Sequence, residues 1–311
     1  MDADRNAVCI HFKLGDGRSP MTYSIIIQLI VSGLALGFIY ALVAIEYTLI
    51  FNSTGLLNFS HDKFIMLGAY IFAAQFLMRM GTNPVAGVLA TVLTMFIFGV
   101  LVATGIFNPL RNMTSPIFAV MGTVFLGRIL NELARIIWGA TPFTVPGFLK
   151  GTVKLGDIVI TVANITVIVV SIAIVILLQL FFNFTKTGKA MRCVQQNKTA
   201  ATLMGINVTR NINLTIALSA AICAVIGIMV IPLFTVDLTI ANMIGLKGFA
   251  AGVFGGFGYL PGAILGGVVI GILENLSTLV IPTLYKDCVA FVLLIACLLI
   301  RPTGLLGHRK K

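Results

Sequence analysis

Residues 24–51, SIIIQLIVSGLALGFIYALVAIEYTLIF, decide the fold, because 28 consecutive positions carry a single charged side chain, Glu46. A spanning helix needs about 20 apolar residues. The run is continuously apolar rather than alternating, and a helix satisfies its own backbone N–H and C=O groups in lipid, so a helix is expected here and not a barrel strand. Nearly uncharged runs recur at 64–78, 85–107, 117–138, 158–182, 212–236, 259–281 and 287–300, which makes about eight spans. A shorter Gly-rich run at 244–257 is either a ninth span or a half-helix, and hydropathy leaves both open. The expected fold class is therefore all-α, a polytopic transmembrane helical bundle.

The composition agrees, with 59% hydrophobic and 10% charged residues where soluble domains carry about 25% charged. A net charge of +11 would suggest nucleic acid in a soluble protein, yet its placement points to the membrane. Lys186, Lys189, Arg192, Lys198 and Arg210 fall in the 183–211 loop with no acid, and Arg301, Arg309, Lys310 and Lys311 crowd the tail. Both stretches are expected to be cytoplasmic by the positive-inside rule. An even number of crossings must separate them, which favours membrane entry by 244–257. Cys9, Cys193, Cys223, Cys288 and Cys297 show no CxxC spacing and the three histidines are scattered, so neither a disulfide framework nor a metal site is expected. Residues 1–20 lack the order of a signal peptide. They are expected to be a disordered extension, or not to belong to the natural protein at all, with Met21 as its start. Residues 21–311 then form one transmembrane domain.

The 183–211 loop has its own design. Asn197 is a good N-cap, Lys198 to Met204 favour a helix, and Gly205 stands where a left-handed C-cap belongs. A short helix on the cytoplasmic face is expected. Its apolar side, Ala200, Ala201, Leu203, Met204 and Ile206, suits a partner's groove or the headgroup layer. Farther on, Pro261 sits just inside a helix start, and Gly258, Gly262 and Gly266, and likewise Gly267 and Gly271, recur every four residues, a spacing that lets helices pack closely.

Ionisable groups inside the spans are function candidates because each costs about 2.5–3.5 kcal/mol at a helix centre. Arg128, Glu132 and Arg135 lie on one helix face, so the acid is expected to pair with both bases. Glu46 and Glu274 have no basic neighbour in sequence, and Lys247 is a candidate partner for either. Between the first two runs lies Asn58-Phe59-Ser60-His61-Asp62-Lys63. It reads as a polar helix break that caps the next helix through Asn58 or Ser60 and borders a translocation path. Asn58, Ser60, His61, Lys247 and Glu274 are the candidates for that path or break. No P-loop is present: Gly188-Lys189 is followed by Ala190, and position 183 is Asn. No enzyme is expected, and any ATP is held by another chain.

Four stretches in order, ALVAIEYTLIFNSTGLLNFSHDKFIMLGAY (41–70), GKAMRCVQQNKTAATLMGINV (188–208), IGLKGFAAGVFGGFGYLPGAILGG (244–267) and RPTGLLG (301–307), resemble the branched-chain amino-acid ABC transporter permeases of the LivH type. The resemblance implies a subunit of a bacterial inner-membrane importer, multi-pass with a cytoplasmic C-terminus. Its implied partners are a homologous LivM-type permease chain, two cytoplasmic ATPase subunits that bind ATP and Mg, and an extracytoplasmic amino-acid-binding protein. The 197–206 helix becomes the coupling helix that enters the ATPase, and no cofactor sits on this chain. A permease for another small solute such as urea or short amides, and a stand-alone secondary transporter or channel, stay open as alternatives. The sequence departs from the family pattern where Glu46 replaces a glycine and Asp62-Lys63 replace a Gly-Glu pair, and these are expected to add bulk and charge at close backbone contacts.

Overall fold

The structure, a computed structural model, describes residues 20–111, 116–145, 148–149, 151–155, 158–301 and 303–306. The N-terminal stretch expected to be an extension lies outside these residues save for Pro20, as do the basic positions Arg309, Lys310 and Lys311. The first half comprises α1 (Pro20–Thr54), α2 (His61–Tyr70), α3 (Pro84–Val102), α4 (Asn108–Arg111), α5 (Pro116–Trp138) and α6 (Val162–Phe184). The second comprises α7 (Lys186–Gln196), α8 (Lys198–Leu203), α9 (Val208–Val230), α10 (Asn242–Gly255), α11 (Leu260–Ser277) and α12 (Lys286–Ile300). Two helices change winding without breaking: α2 continues as a π-helix over Ile71–Arg79, and α3 passes through a π stretch, Ala103–Phe107, into α4.

Seven helices among the described residues are long and apolar enough to cross a membrane. The continuous helix from His61 to Arg79 brings the bundle to about eight passages, so the chain is a polytopic membrane protein. Burial separates inner from outer helices. Every residue of α1 from Ile39 to Ile50 is buried, and α9 is enclosed on most of its surface, whereas α12 is nearly bare. Leu89, Leu93, Phe125, Leu177 and Leu299 on α3, α5, α6 and α12 face outward, as side chains meeting lipid tails must.

Small residues bring the inner helices together. On α11, Gly267 and Gly271 lie on the backbone of α1; a Cβ on Gly267 would stand 2.5 Å from Ala41 Cα, and one on Gly37 of α1 would stand 2.9 Å from Val268 Cα. Gly262 and Gly266 face α10, where a Cβ on Gly266 would lie 2.8 Å from the Gly255 nitrogen. Gly258 differs from these four because it lies in the turn between α10 and α11 with φ 92°. It is therefore corrected from a helix-packing residue to a turn residue: only a glycine takes that left-handed conformation freely, and Asn52 Nδ2 donates to its carbonyl at 2.9 Å.

The run at 244–257 is a half-helix. With 14 residues, α10 is about 21 Å long at 1.5 Å per residue, short of a hydrocarbon core of about 30 Å. It packs between α1 and α11, entered through the irregular segment 231–241. At its far end the N–H groups of Leu305 and Leu306 donate to the carbonyls of Phe254 and Gly255 at 2.9 and 3.1 Å, which satisfies helix-end acceptors that have no partner of their own. The C-terminal segment, the α10–α11 turn and the end of α1 thus share one end of the bundle. The α7–α8 loop joins them there, since Lys198 Nζ donates to the Thr54 carbonyl at 2.9 Å.

Three boundaries differ from the sequence reading. The run taken to start at 158 begins as a hairpin, β1 (Thr152–Leu155) paired antiparallel with β2 (Ile158–Thr161), because Ile-Val-Ile-Thr is β-branched throughout. The span taken to end at 236 stops at Val230, before Pro232. The long loop contains a second helix, α7, whose N-cap Thr185 accepts from Gly188 N at 2.9 Å.

Candidate functional site

Three polar features stand out in an otherwise apolar bundle. The first is the break between α1 and α2. Gly55 ends α1 with φ 80°, and the chain turns back into the bundle, so that Asn58 and Ser60 are enclosed. Asn58 Oδ1 accepts from Ser60 N at 3.0 Å and from Ser60 Oγ at 2.6 Å, while Phe59 N donates to Thr123 Oγ1 of α5 at 3.1 Å. Neither Asn58 nor Ser60 caps α2 through its side chain, contrary to the sequence reading. The Ser60 hydroxyl is committed to Asn58, and the N–H groups of Lys63 and Phe64 in the first turn reach the Ser60 carbonyl instead. Asn58→Ala leaves two enclosed Ser60 donors unpaired and is expected to cost about 1–3 kcal/mol, read as a lower melting temperature in detergent.

His61 opens α2 and points inward to the second feature. Its Nε2 lies 2.6 Å from Glu46 Oε2, and its ring stacks tilted on Tyr47 with centroids 4.3 Å apart. From α9, Ser219 Oγ donates to Glu46 Oε1 at 2.5 Å and Cys223 Sγ to Oε2 at 2.9 Å. Glu46, His61, Ser219 and Cys223 are all fully buried. Glu46 is thus received by His61, Ser219 and Cys223 rather than clashing with a helix. Asp62 is accommodated by Gly245 of α10, where a Cβ would stand 3.0 Å from the Asp62 Cβ. Lys63 pairs with Asp62 at 3.1 Å and reaches Asn242 Oδ1 at 2.5 Å.

The third feature is a buried charge cluster. Lys247 of α10, 4% exposed, places Nζ 2.7 Å from both Glu274 Oε1 of α11 and Asp287 Oδ1 of α12. The Tyr40 hydroxyl of α1 donates to Glu274 Oε2 at 3.1 Å, and Lys286 Nζ lies 3.9 Å from Glu274. Of the two acids open as partners for Lys247, the structure pairs it with Glu274. Asn58, Ser60, His61, Lys247 and Glu274 accordingly divide between a helix break and two enclosed networks, and each is buried. On α5 the expected triad is reduced, because Arg135 pairs with Glu132 at 3.6 Å and no salt bridge from Arg128 occurs among the described residues. Both partners are about 60% exposed, so their long side chains are free to choose.

At the loop end α8 is closed at both termini. Asn197 Oδ1 accepts from Ala200 N at 3.0 Å; Gly205, with φ 78°, donates to the Thr202 carbonyl, and Ile206 to that of Ala201, both at 3.0 Å. This is the paired C-cap that a left-handed glycine permits. The five apolar residues expected on one face are split by the turn of the helix. Ala201 is buried and Ile206 packs against the core, whereas Ala200 is exposed, and Leu203 and Met204 project outward, 84% and 81% exposed. Burial against the bundle, and then the Arg111 charge, hold the Lys198 ammonium below the usual lysine range. Beside this loop a cavity of about 540 Å³ opens between α1, α6, α7 and the α10–α11 turn, with Asn52, Gln179, Arg192 and Gln195 on its walls.

Sequence reasoning missed Ser219 and Cys223. Their spacing of four on one helix was a usable signal, since an unpaired acid in one span calls for polar groups on another.

The chain matches the model of the branched-chain amino acid transport system permease component over residues 29–298. It is 32% identical over 295 residues to the high-affinity branched-chain amino acid transport system permease protein LivH of Escherichia coli (strain K12), covering 91% of this chain and 96% of the relative. It is 34% identical over 294 residues to the corresponding protein BraD of Pseudomonas aeruginosa, with the same coverage. A weaker match, 28% over 203 residues and 58% of the chain, is to the fructose import permease protein FruG of Bifidobacterium longum, of which it covers 56%. No solved structure matches the chain.

Proposed function

The chain belongs to the family of branched-chain amino acid transport permeases, and from that premise we propose that it is the permease subunit of an ATP-driven importer for these amino acids. It works with a LivM-type permease chain, two ATPase subunits that hold ATP and Mg, and an extracytoplasmic binding protein, and it has no ATPase site of its own. The loop end faces the cytoplasm of a bacterium, with the basic loop and tail, and the membrane is the plasma membrane.

The observation that carries the reading is the pair Leu203 and Met204, two large apolar side chains presented to solvent on a doubly capped helix whose inner side, Ala201, is fixed to the bundle. Such a rigid knob transmits force, and ATP-driven closure of the ATPase pair moves it as one body with the end of α1 that Lys198 holds. Fully burying a Leu or Met side chain in an interface is worth about 1.5–3 kcal/mol. Leu203→Asp with Met204→Asp is therefore expected to reduce co-purification of the ATPase at least ~30-fold and to abolish amino-acid-stimulated ATP hydrolysis. Retention of both by a well-folded double variant removes α8 as the coupling element. The fructose permease match supports a second reading, a path for another small solute. Uptake of labelled leucine and fructose by vesicles holding the whole complex separates the two.

A further inference from the structure

Where α1, α2 and α9 meet, Glu46 Oε2, His61 Nε2 and Cys223 Sγ lie within 4.8 Å of one another, all three residues enclosed. We propose that these three side chains bind a divalent transition metal of the zinc class. No metal site was expected because residues adjacent to His61 point to different helix faces, and Cys223 lies 162 residues away on α9.

The first support is the imidazole. His61 Nε2 faces the Glu46 carboxylate from 2.6 Å, so the imidazole presents one nitrogen to the cluster, and a nitrogen that donates its lone pair to a metal needs no proton acceptor; Nδ1 has no hydrogen-bond partner among the described residues. The donor set is the second support. One imidazole nitrogen, one sulfur and one carboxylate oxygen suit zinc and its neighbours, whereas magnesium and calcium take oxygen ligands. Third, Ser219 Oγ holds Glu46 Oε1, leaving Oε2 to face the cluster, as supporting hydrogen bonds do around metal ligands.

Charge favours the same assignment. A dication with a carboxylate, a thiolate and a neutral imidazole sums to zero, which a low-dielectric interior tolerates. On binding, metal–oxygen, metal–nitrogen and metal–sulfur bonds form, the Cys223 S–H bond breaks, and its proton leaves to solvent with no change of oxidation state. Bonds of about 2.0–2.3 Å require the Nε2–Oε2 separation to open by about 1 Å. A water completes four ligands. So enclosed a centre is a structural clasp on three helices, and its existence does not depend on what the chain transports.

The test uses the full chain in detergent, in a background lacking Cys9, Cys193 and Cys288, with metal content measured by mass spectrometry and cobalt(II) as the optical probe. One cobalt per chain is expected, with a near-ultraviolet thiolate-to-cobalt band that zinc displaces and that Cys223→Ser abolishes. Ser219→Ala should weaken retention about 10-fold. A monodisperse chain that binds no cobalt, or binds it without the thiolate band, overturns the proposal and leaves a hydrogen-bonded trio. So does a Cys223→Ser chain that binds as the parent does. If the variants do not fold, the parent spectrum and its displacement by zinc decide alone.

Discussion

Lys247→Met is expected to destabilise the bundle by about 3–5 kcal/mol. Among the described residues Lys247 alone places Nζ 2.7 Å from both Glu274 and Asp287, and Glu274 is fully buried. Lys286 cannot replace it, standing 3.9 Å from Glu274 on a side chain about one-third exposed. Deleting the ammonium leaves a carboxylate in a low-dielectric interior with, among the described residues, the Tyr40 hydroxyl as its remaining close donor. Breaking a buried pair costs far more than the pair contributes. The double variant Lys247→Met, Glu274→Leu should therefore recover most of the loss, because the charge then left without Lys247 is Asp287, whose side chain is 39% exposed and open to solvent. A double-mutant cycle on melting in detergent measures this; equal losses for the single and double variants would show that Lys247 acts through packing rather than charge.

The same cluster shows what hydropathy can deliver and what it cannot. Span number, the polar break after α1 and the caps of α8 were legible because each rests on local chemistry: apolar length, glycine, and an Asn three residues before the N–H it accepts. Which acid meets which base was not. Ser219 and Cys223 stand 173 and 177 residues from Glu46, and a helix that is apolar on every face, as α1 is, carries no stripe to fix its rotation. The same ambiguity hid the split face of α8, where the inward turn of Ala201 depends on a bundle the loop sequence does not describe. Gly258 was misread for a related reason. The four-residue spacing runs back from Gly266 and Gly262 into the turn, and it was followed past the helix start that Pro261 marks.

Where glycine spacing does meet backbone, the expected effect is severe. Gly267→Ala places a Cβ 2.5 Å from Ala41 Cα and close against the Ala41 nitrogen, whereas carbon atoms in contact rest about 3.5–4.0 Å apart. The neighbouring atoms are backbone of a buried helix, so no rotamer change relieves them, and α1 and α11 must part by about 1 Å. Parting them also loosens the contact one turn along, where Gly271 faces Gly37. Overpacking by one or two methylenes costs about 1–3 kcal/mol in adaptable cores; against rigid backbone at the centre of the bundle, a loss at or above the upper figure is expected. Gly105→Ala is the control, since a Cβ there meets nothing within 4 Å and should change melting little or raise it slightly. Adding Ala41→Gly to Gly267→Ala removes the side-chain part of the clash but leaves the backbone part, so rescue should be partial. Full rescue would mean that a methyl group rather than the backbone sets the distance between these helices, and a Gly267→Ala chain that melts with the parent would mean that the two helices are not held at this distance at all.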